Sequence, residues 1–117
     1  MKIAALLLAA LCGGAAAQEM TLIGSTPDST FHLIEAEARG NVVRAWVLSE
    51  YHAPVDGARS AKMLFEINCG ESMARLTAYV YSGARGTGAV VGTSSPRGWE
   101  PTMPGTIVRR VEQRVCR

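Results

Sequence analysis

The segment Gly105-Thr106-Ile107-Val108-Arg109-Arg110-Val111-Glu112-Gln113-Arg114-Val115-Cys116-Arg117 decides how the rest of the chain must be arranged. Ile107, Val108, Val111 and Val115 recur at the intervals of one helical stripe, while Arg109, Arg110, Glu112, Gln113 and Arg114 cover the remaining circumference. Pro104-Gly105 breaks the preceding chain and Thr106 can cap the first turn; the arginines of the last turns suit the negative end of the helix dipole. Valine-rich as it is, the segment is a poor helix by propensity alone, and a final edge strand is the alternative. Cys116 at its end acts as a tether if it finds a partner.

That partner is legible in Ser60 to Cys69, the cleanest alternation in the chain. Ala61, Met63, Phe65, Ile67 and Cys69 share one face of a strand, and Lys62, Leu64, Glu66 and Asn68 share the other. Cys69 therefore lies on the apolar face, and a helix tied to it must cover that face. The remaining cysteine, Cys12, falls in a leader. Met1 to Ala17 has a positive start at Lys2, an apolar core from Ile3 to Leu11 and small residues at Ala15-Ala16-Ala17, which predicts a signal peptide over residues 1–17 and a mature domain over 18–117. The apolar run is too short to cross ~30 Å of hydrocarbon, so the mature chain is expected to have no transmembrane segment. Lipidation at Cys12 is the rival, disfavoured because Leu11 stands where a small residue is needed. Export puts Cys69 and Cys116 in an oxidising compartment, where such a pair favours a disulfide over two buried free thiols. Closing a loop of roughly fifty residues would contribute about 4 kcal/mol by the chain-entropy argument.

Around the Ser60 to Cys69 strand, further strand signals alternate with turn formers. Met20 to Ile23 and Thr30 to Glu35 are the first two, with Ala36 to Arg39 either prolonging the second or forming a helical turn. Val42 to Tyr51 carries apolar groups on both faces, as a central strand does. Ala53-Pro54-Val55-Asp56-Gly57 reads as a loop, because proline cannot donate to a ladder. Ala74 to Tyr81 sets Leu76, Ala78 and Val80 against Arg75, Thr77, Tyr79 and Tyr81. Gly83 to Gly88 then leads to Ala89 to Thr93; β-branched residues follow the glycines where a phosphate loop would need a helix, so a hairpin turn is expected. Ser94 to Gly105, with three prolines and Trp99, should cross the surface irregularly. The fold class is thus α+β: an antiparallel sheet of about six strands, with a C-terminal helix packed on one face and held by a disulfide.

The order Gly40-Asn41-Val42-Val43-Arg44-Ala45-Trp46-Val47-Leu48, Tyr51, Ser60-Ala61-Lys62, Glu66-Ile67-Asn68-Cys69, Tyr81-Ser82-Gly83, Trp99-Glu100-Pro101, Pro104-Gly105 and Cys116 resembles the surface-adhesin E domain family of Gram-negative bacteria. The resemblance spans nearly all of the mature chain. It implies an antiparallel sheet carrying a C-terminal helix, export to the periplasm or outer cell surface, and, from the founding adhesins, binding to host extracellular-matrix proteins. An adhesin-like binding domain is the leading expectation. A structural or accessory protein of the periplasmic envelope, with no adhesive role, is the alternative, because no good lipid-attachment box is present.

Chemistry-bearing residues are sparse. His32 and His52 stand near no nucleophile elbow, so no catalytic role is expected. A zinc site from Cys69, Cys116, His32 and His52 would have suitable ligand types without compact spacing. No cofactor is expected. The formal charge of +2 falls by one when Lys2 leaves, and this near balance gives no expectation of nucleic-acid binding. Two surfaces remain as candidates. Trp46, Tyr79 and Tyr81 fall on the faces opposite Ala45/Val47 and Ala78/Val80, so they either pack together or meet a partner, whether a matrix protein, an envelope protein or a second copy in a homo-dimer. Arg109, Arg110, Arg114 and Arg117 form either a solvated helix flank or a site for an acidic ligand such as a sulfated glycan.

Overall fold

Short turns decide the topology. Strands separated by only a few residues can return only antiparallel, and the computed structural model, which describes residues 20–116, builds its sheet that way throughout. The strands are β1 (Thr21–Ser25), β2 (Ser29–Arg39), β3 (Val42–Val55), β4 (Ala58–Asn68), β5 (Met73–Tyr81), β6 (Val90–Ser94) and β7 (Glu100–Pro101), followed by the helix α1 (Ile107–Val115). β1 to β6 lie side by side in chain order, and β7 adds to the β5 edge beyond the end of β6. The signal-peptide expectation, its cleavage point and Arg117 fall outside the described residues.

Local pairing settles one strand boundary that the sequence leaves open and moves two others. Ala36 to Arg39 prolongs β2, because Val42 to Ala45 offers it a continuous partner. β3 runs on through Pro54 to Val55 instead of breaking at Ala53; the ladder to β4 is interrupted between Glu50 and Val55, so Pro54 has no donor to supply there. The turn shrinks to Asp56-Gly57, whose φ values of 50° and 79° are both left-handed, as a tight two-residue hairpin turn requires. In the proline-rich crossing, Glu100 and Pro101 form a two-residue strand against Ala74 and Met73.

One face of the sheet is the core. Register places Ala45 beside Phe65 and Phe65 beside Leu76, with Val43, Ile67 and Ala74 in the adjoining row. α1 lays Val111, fully buried, on this layer, flanked by Ile107, Val108 and Val115. Thr106 caps the helix by accepting a hydrogen bond from the Arg109 amide at 3.3 Å. The helix comes close to β1 at Gly24, where any Cβ would lie 2.5 Å from Arg110 Nη1. Cys69 and Cys116 are joined by a disulfide, with Cα atoms 5.5 Å apart. The sheet, the C-terminal helix and the staple therefore match the expected architecture.

The polar flank of α1 is not uniformly solvated. Pro101 to Gly105 passes along the helix, and Thr102, 2% exposed, donates its hydroxyl to Glu112 Oε1 at 2.7 Å. Thr102 is itself fixed by its amide to Ser72 O at 3.0 Å, while Arg109 pairs with Glu112 at 3.2 Å and donates to Thr102 O. A buried carboxylate needs such partners. The knot ties the last helix to the β4–β5 turn a second time, independently of the disulfide.

Candidate binding face

Among the described residues no α-helix lies over the opposite face of the sheet, and its side chains can be placed row by row from the register. In one row Arg44, Glu66 and Arg75 stand side by side on β3, β4 and β5. Glu66 accepts from Arg75 Nε at 2.8 Å and lies 3.8 Å from Arg44 Nε, close enough for charge pairing but too far for a hydrogen bond. Arg75 in turn sits 4.8 Å from the centre of the Trp99 ring. Two arginines share the one carboxylate, so the row keeps a net positive charge, with Glu66 answering chiefly Arg75.

The next rows hold the aromatic residues. Trp46 belongs to β3 and Tyr79 to β5, yet their ring centres are 6.2 Å apart at an interplanar angle of 29°. Strands two places apart are separated by about 9.5 Å, so the two side chains lean toward each other across β4. Leu64, which lies beside Trp46 on β4, is 8% exposed. Trp46 and Tyr79 remain half-buried, so their packing and their accessibility coexist. Beside them the Lys62 ammonium stands 5.7 Å from the centre of the Tyr81 ring.

A β-bulge supplies one wall. Leu33 pairs with Val47 on the core side and Glu35 pairs with Trp46, leaving Ile34 as an extra residue. Both Ile34 and Glu35 consequently reach the open face. Strict alternation would have sent one of them inward, and the only sequence signal was the broken period at Leu33-Ile34-Glu35-Ala36. Next to the aromatic rows, the Gly83 to Gly88 connection, which contains a short 3-10 turn at Ala84–Gly86, packs back against β4 and β3. Ser60, fully buried, donates to Gly83 O at 2.6 Å and accepts from the Gly86 amide at 2.8 Å, while the Arg85 amide donates to Glu50 Oε1 at 2.8 Å. Gly86, at φ 69°, presses on the Lys62 stem; a Cβ there would stand 2.5 Å from Lys62 Cε. A depression of about 450 Å³ opens on this face, lined by Ile34, Glu35, Trp46, Lys62, Tyr79 and Tyr81.

The arginines of α1 are divided. Arg109 is turned inward to Thr102 and Glu112, whereas Arg110 and Arg114 are exposed and line a shallow hollow of about 280 Å³ with Leu22, Ile23 and Gln113. A third hollow, of about 380 Å³, opens where the chain leaves the β5 edge between β6 and β7, over Phe65, Leu76 and Val108. The structure thus groups Trp46, Tyr79 and Tyr81 on one face, and places Arg110 and Arg114 on the rim of the helix-covered side.

His52 is occupied structurally. Pro27 O can only accept, so Nδ1 carries the proton in the 2.9 Å bond to it, and Nε2 accepts from the Thr30 hydroxyl at 2.7 Å. The zinc alternative is removed, since both cysteines are in the disulfide. Among the described residues no group of three or more His, Cys, Asp or Glu side chains is placed to hold a metal ion, and no helix is long and apolar enough to cross a membrane.

Comparison with known proteins returns one finding. The family profile described as surface-adhesin protein E matches residues 22–117. No curated protein and no solved structure gives a significant match.

Proposed function

The chain belongs to the surface-adhesin protein E family, and from that premise we propose that its helix-free sheet face recognises a macromolecular partner outside the cell. The family implies an exported, adhesin-like protein with a non-enzymatic role. The observation that carries the finer reading is the aromatic depression itself: half-buried rings of Trp46, Tyr79 and Tyr81 gathered beside Ile34 and Glu35 on the side of the sheet that no described α-helix covers. Aromatic side chains left accessible in this way are the usual anchors of interfaces, offering large contact area at small conformational cost. A host extracellular-matrix protein is the proposed class of partner, with the cell surface as the place of action. Arg110 and Arg114 supply a secondary, electrostatic contribution for an acidic partner, chiefly to the rate of encounter.

The test is binding of the mature protein to immobilised matrix proteins. Tyr79→Ala with Tyr81→Ala should weaken retention tenfold or more, and Arg110→Gln with Arg114→Gln should weaken it less, with an effect that shrinks as salt rises. Unchanged binding by the tyrosine double variant, with circular dichroism as in the parent, would remove the face from the proposal. Protease treatment of intact cells tests the place: a protein protected until the outer membrane is disrupted belongs to the periplasmic envelope, and the adhesive reading then fails.

A further inference from the structure

We infer that the depression between Ile34, Glu35, Trp46, Lys62, Tyr79 and Tyr81 is a site for a neutral saccharide, so that the partner is met through its glycan. This rests on the proposed use of the open face and gives it a ligand chemistry. Three properties of the depression select the class. Its volume of about 450 Å³ accommodates one or two pyranose rings and is far too small for a folded segment of a partner. Its floor combines aromatic surface from Trp46 and Tyr79 with polar groups at the margins. A pyranose matches that combination, since it carries an apolar C–H face that stacks on an indole or phenol ring and a circumference of hydroxyl groups. Glu35 can accept from two adjacent hydroxyls, the Lys62 ammonium can donate to ring or hydroxyl oxygens, and the phenols of Tyr79 and Tyr81 can do either.

Charge separates this ligand from its rivals. The lining contains one carboxylate and one ammonium, Glu35 and Lys62, so it has no excess charge with which to hold a sulfated chain or a phosphodiester backbone. An extended peptide adding to the sheet would need a free strand edge, whereas the depression lies over β2 to β5, whose partners on that face are already paired. A purely apolar ligand would strip water from Glu35 and Lys62 without replacing it. The Lys62 side of the depression is also preset. Ser60 holds the Gly83 to Gly88 segment at both Gly83 and Gly86, and Gly86 lies against the Lys62 stem, so the ammonium is positioned before any ligand arrives.

The experiment follows the Trp46 indole N–H in nitrogen-15 NMR spectra of the full mature chain. Lactose, N-acetyllactosamine and diacetylchitobiose are the probes, with heparin as the polyanion. Addition of at least one neutral disaccharide should shift the Trp46 signal along a saturating curve and leave Trp99 in place. Glu35→Gln, which alters an exposed side chain outside the packed layer, should weaken that binding at least fivefold, and Tyr79→Ala at least tenfold. Gly86→Ala should weaken it as well, by displacing Lys62. No shift with any of the three disaccharides at about 10 mM, where even a 1 mM site would be nine-tenths filled, overturns the inference. A Trp46 shift with heparin alone overturns it in favour of a polyanion. The same variants separate this idea from the one it rests on. If the tyrosine double variant loses an immobilised glycoprotein while enzymatic removal of its glycans leaves parent binding unchanged, the face is a protein-binding surface and the saccharide inference fails. If disaccharides bind and the variants still retain the glycoprotein normally, the site stands and the adhesive use of the face falls.

Discussion

The two faces of this sheet are made from the same strands, one residue out of step, and they are held by different physics. On the helix side Ala45, Val47, Phe65 and Ile67 are buried under Val111, a staple closes the chain at Cys69 and Cys116, and Thr102 and Glu112 lock the flank. On the open side the residues between them, Arg44, Trp46, Leu64 and Lys62, rest on ion pairing, ring stacking and one folded-back loop. The contrast teaches that stability and recognition have been assigned to alternate positions of one ladder. Change at the accessible positions of the open face, such as Arg44 and Trp46, is therefore expected to cost less than change on the other, whereas Leu48 and Ser60 are buried there as well.

Removing the staple is the strongest way to test that division. Cys116→Ser should lower stability by about 4 kcal/mol in urea titration of the mature protein, and the Trp46–Tyr79 contact, followed by near-ultraviolet dichroism below the transition, should persist. A variant that melts like the parent would mean that the core side does not depend on its tether. Glu112→Ala comes next. It removes the acceptor of the short Thr102 hydroxyl bond and the charge partner of Arg109, leaving Thr102 its 3.3 Å bond to Ser72 O and Arg109 its bonds to Thr102 O, and a loss of about 2 kcal/mol is expected; a loss below about 0.5 kcal/mol would show the knot to be ornamental. On the open face the expected effects shrink. Trp46→Ala should cost about 1 to 2 kcal/mol, from the ring pair and the cover it gives Leu64. Arg44→Gln should cost less than about 1 kcal/mol, because Glu66 keeps its closer partner Arg75 and Arg44 Nε makes no hydrogen bond that the change would break. If thermal melts placed Arg44→Gln above Glu112→Ala, the proposed division between the faces would be wrong.

How much of this could be read from residues alone depends on the range of the interaction. The helix was legible because Ile107, Val108, Val111 and Val115 repeat within a few turns, and the staple because Cys69 keeps step with Ile67 and Phe65. The parity of Trp46, Tyr79 and Tyr81 followed from the same two-residue period, which places them on the open face. Parity could not show that Trp46 and Tyr79 meet across β4, since that depends on strand order and register together. The Ile34 bulge was half-hidden for a similar reason: the alternation breaks at Leu33-Ile34, but which residue is extra shows only when Leu33 and Glu35 are seen paired to Val47 and Trp46. Pro54 looked like a break in the strand, but the ladder beside it is interrupted and asks no donor of it. Glu112 and Arg109 looked like solvated partners of the other arginines. Their burial comes from Thr102, a residue in a proline-rich crossing whose sequence gives no periodic signal at all.

The position of the helix after the sheet fixes an order of events during synthesis and passage across a membrane. A chain delivered from its N-terminus can assemble β1 to β5 from neighbouring hairpins, quickly and with little loop-closure cost. It then waits with Phe65, Ile67 and Ala74 uncovered until α1 follows. During that interval the sheet has a bare oily side and a free thiol at Cys69, so it is at once adhesive toward the wrong surfaces and open to the wrong thiol. Arrival of Cys116 ends both hazards in one reaction, which makes oxidation of this pair a latch that closes only once the helix has been delivered.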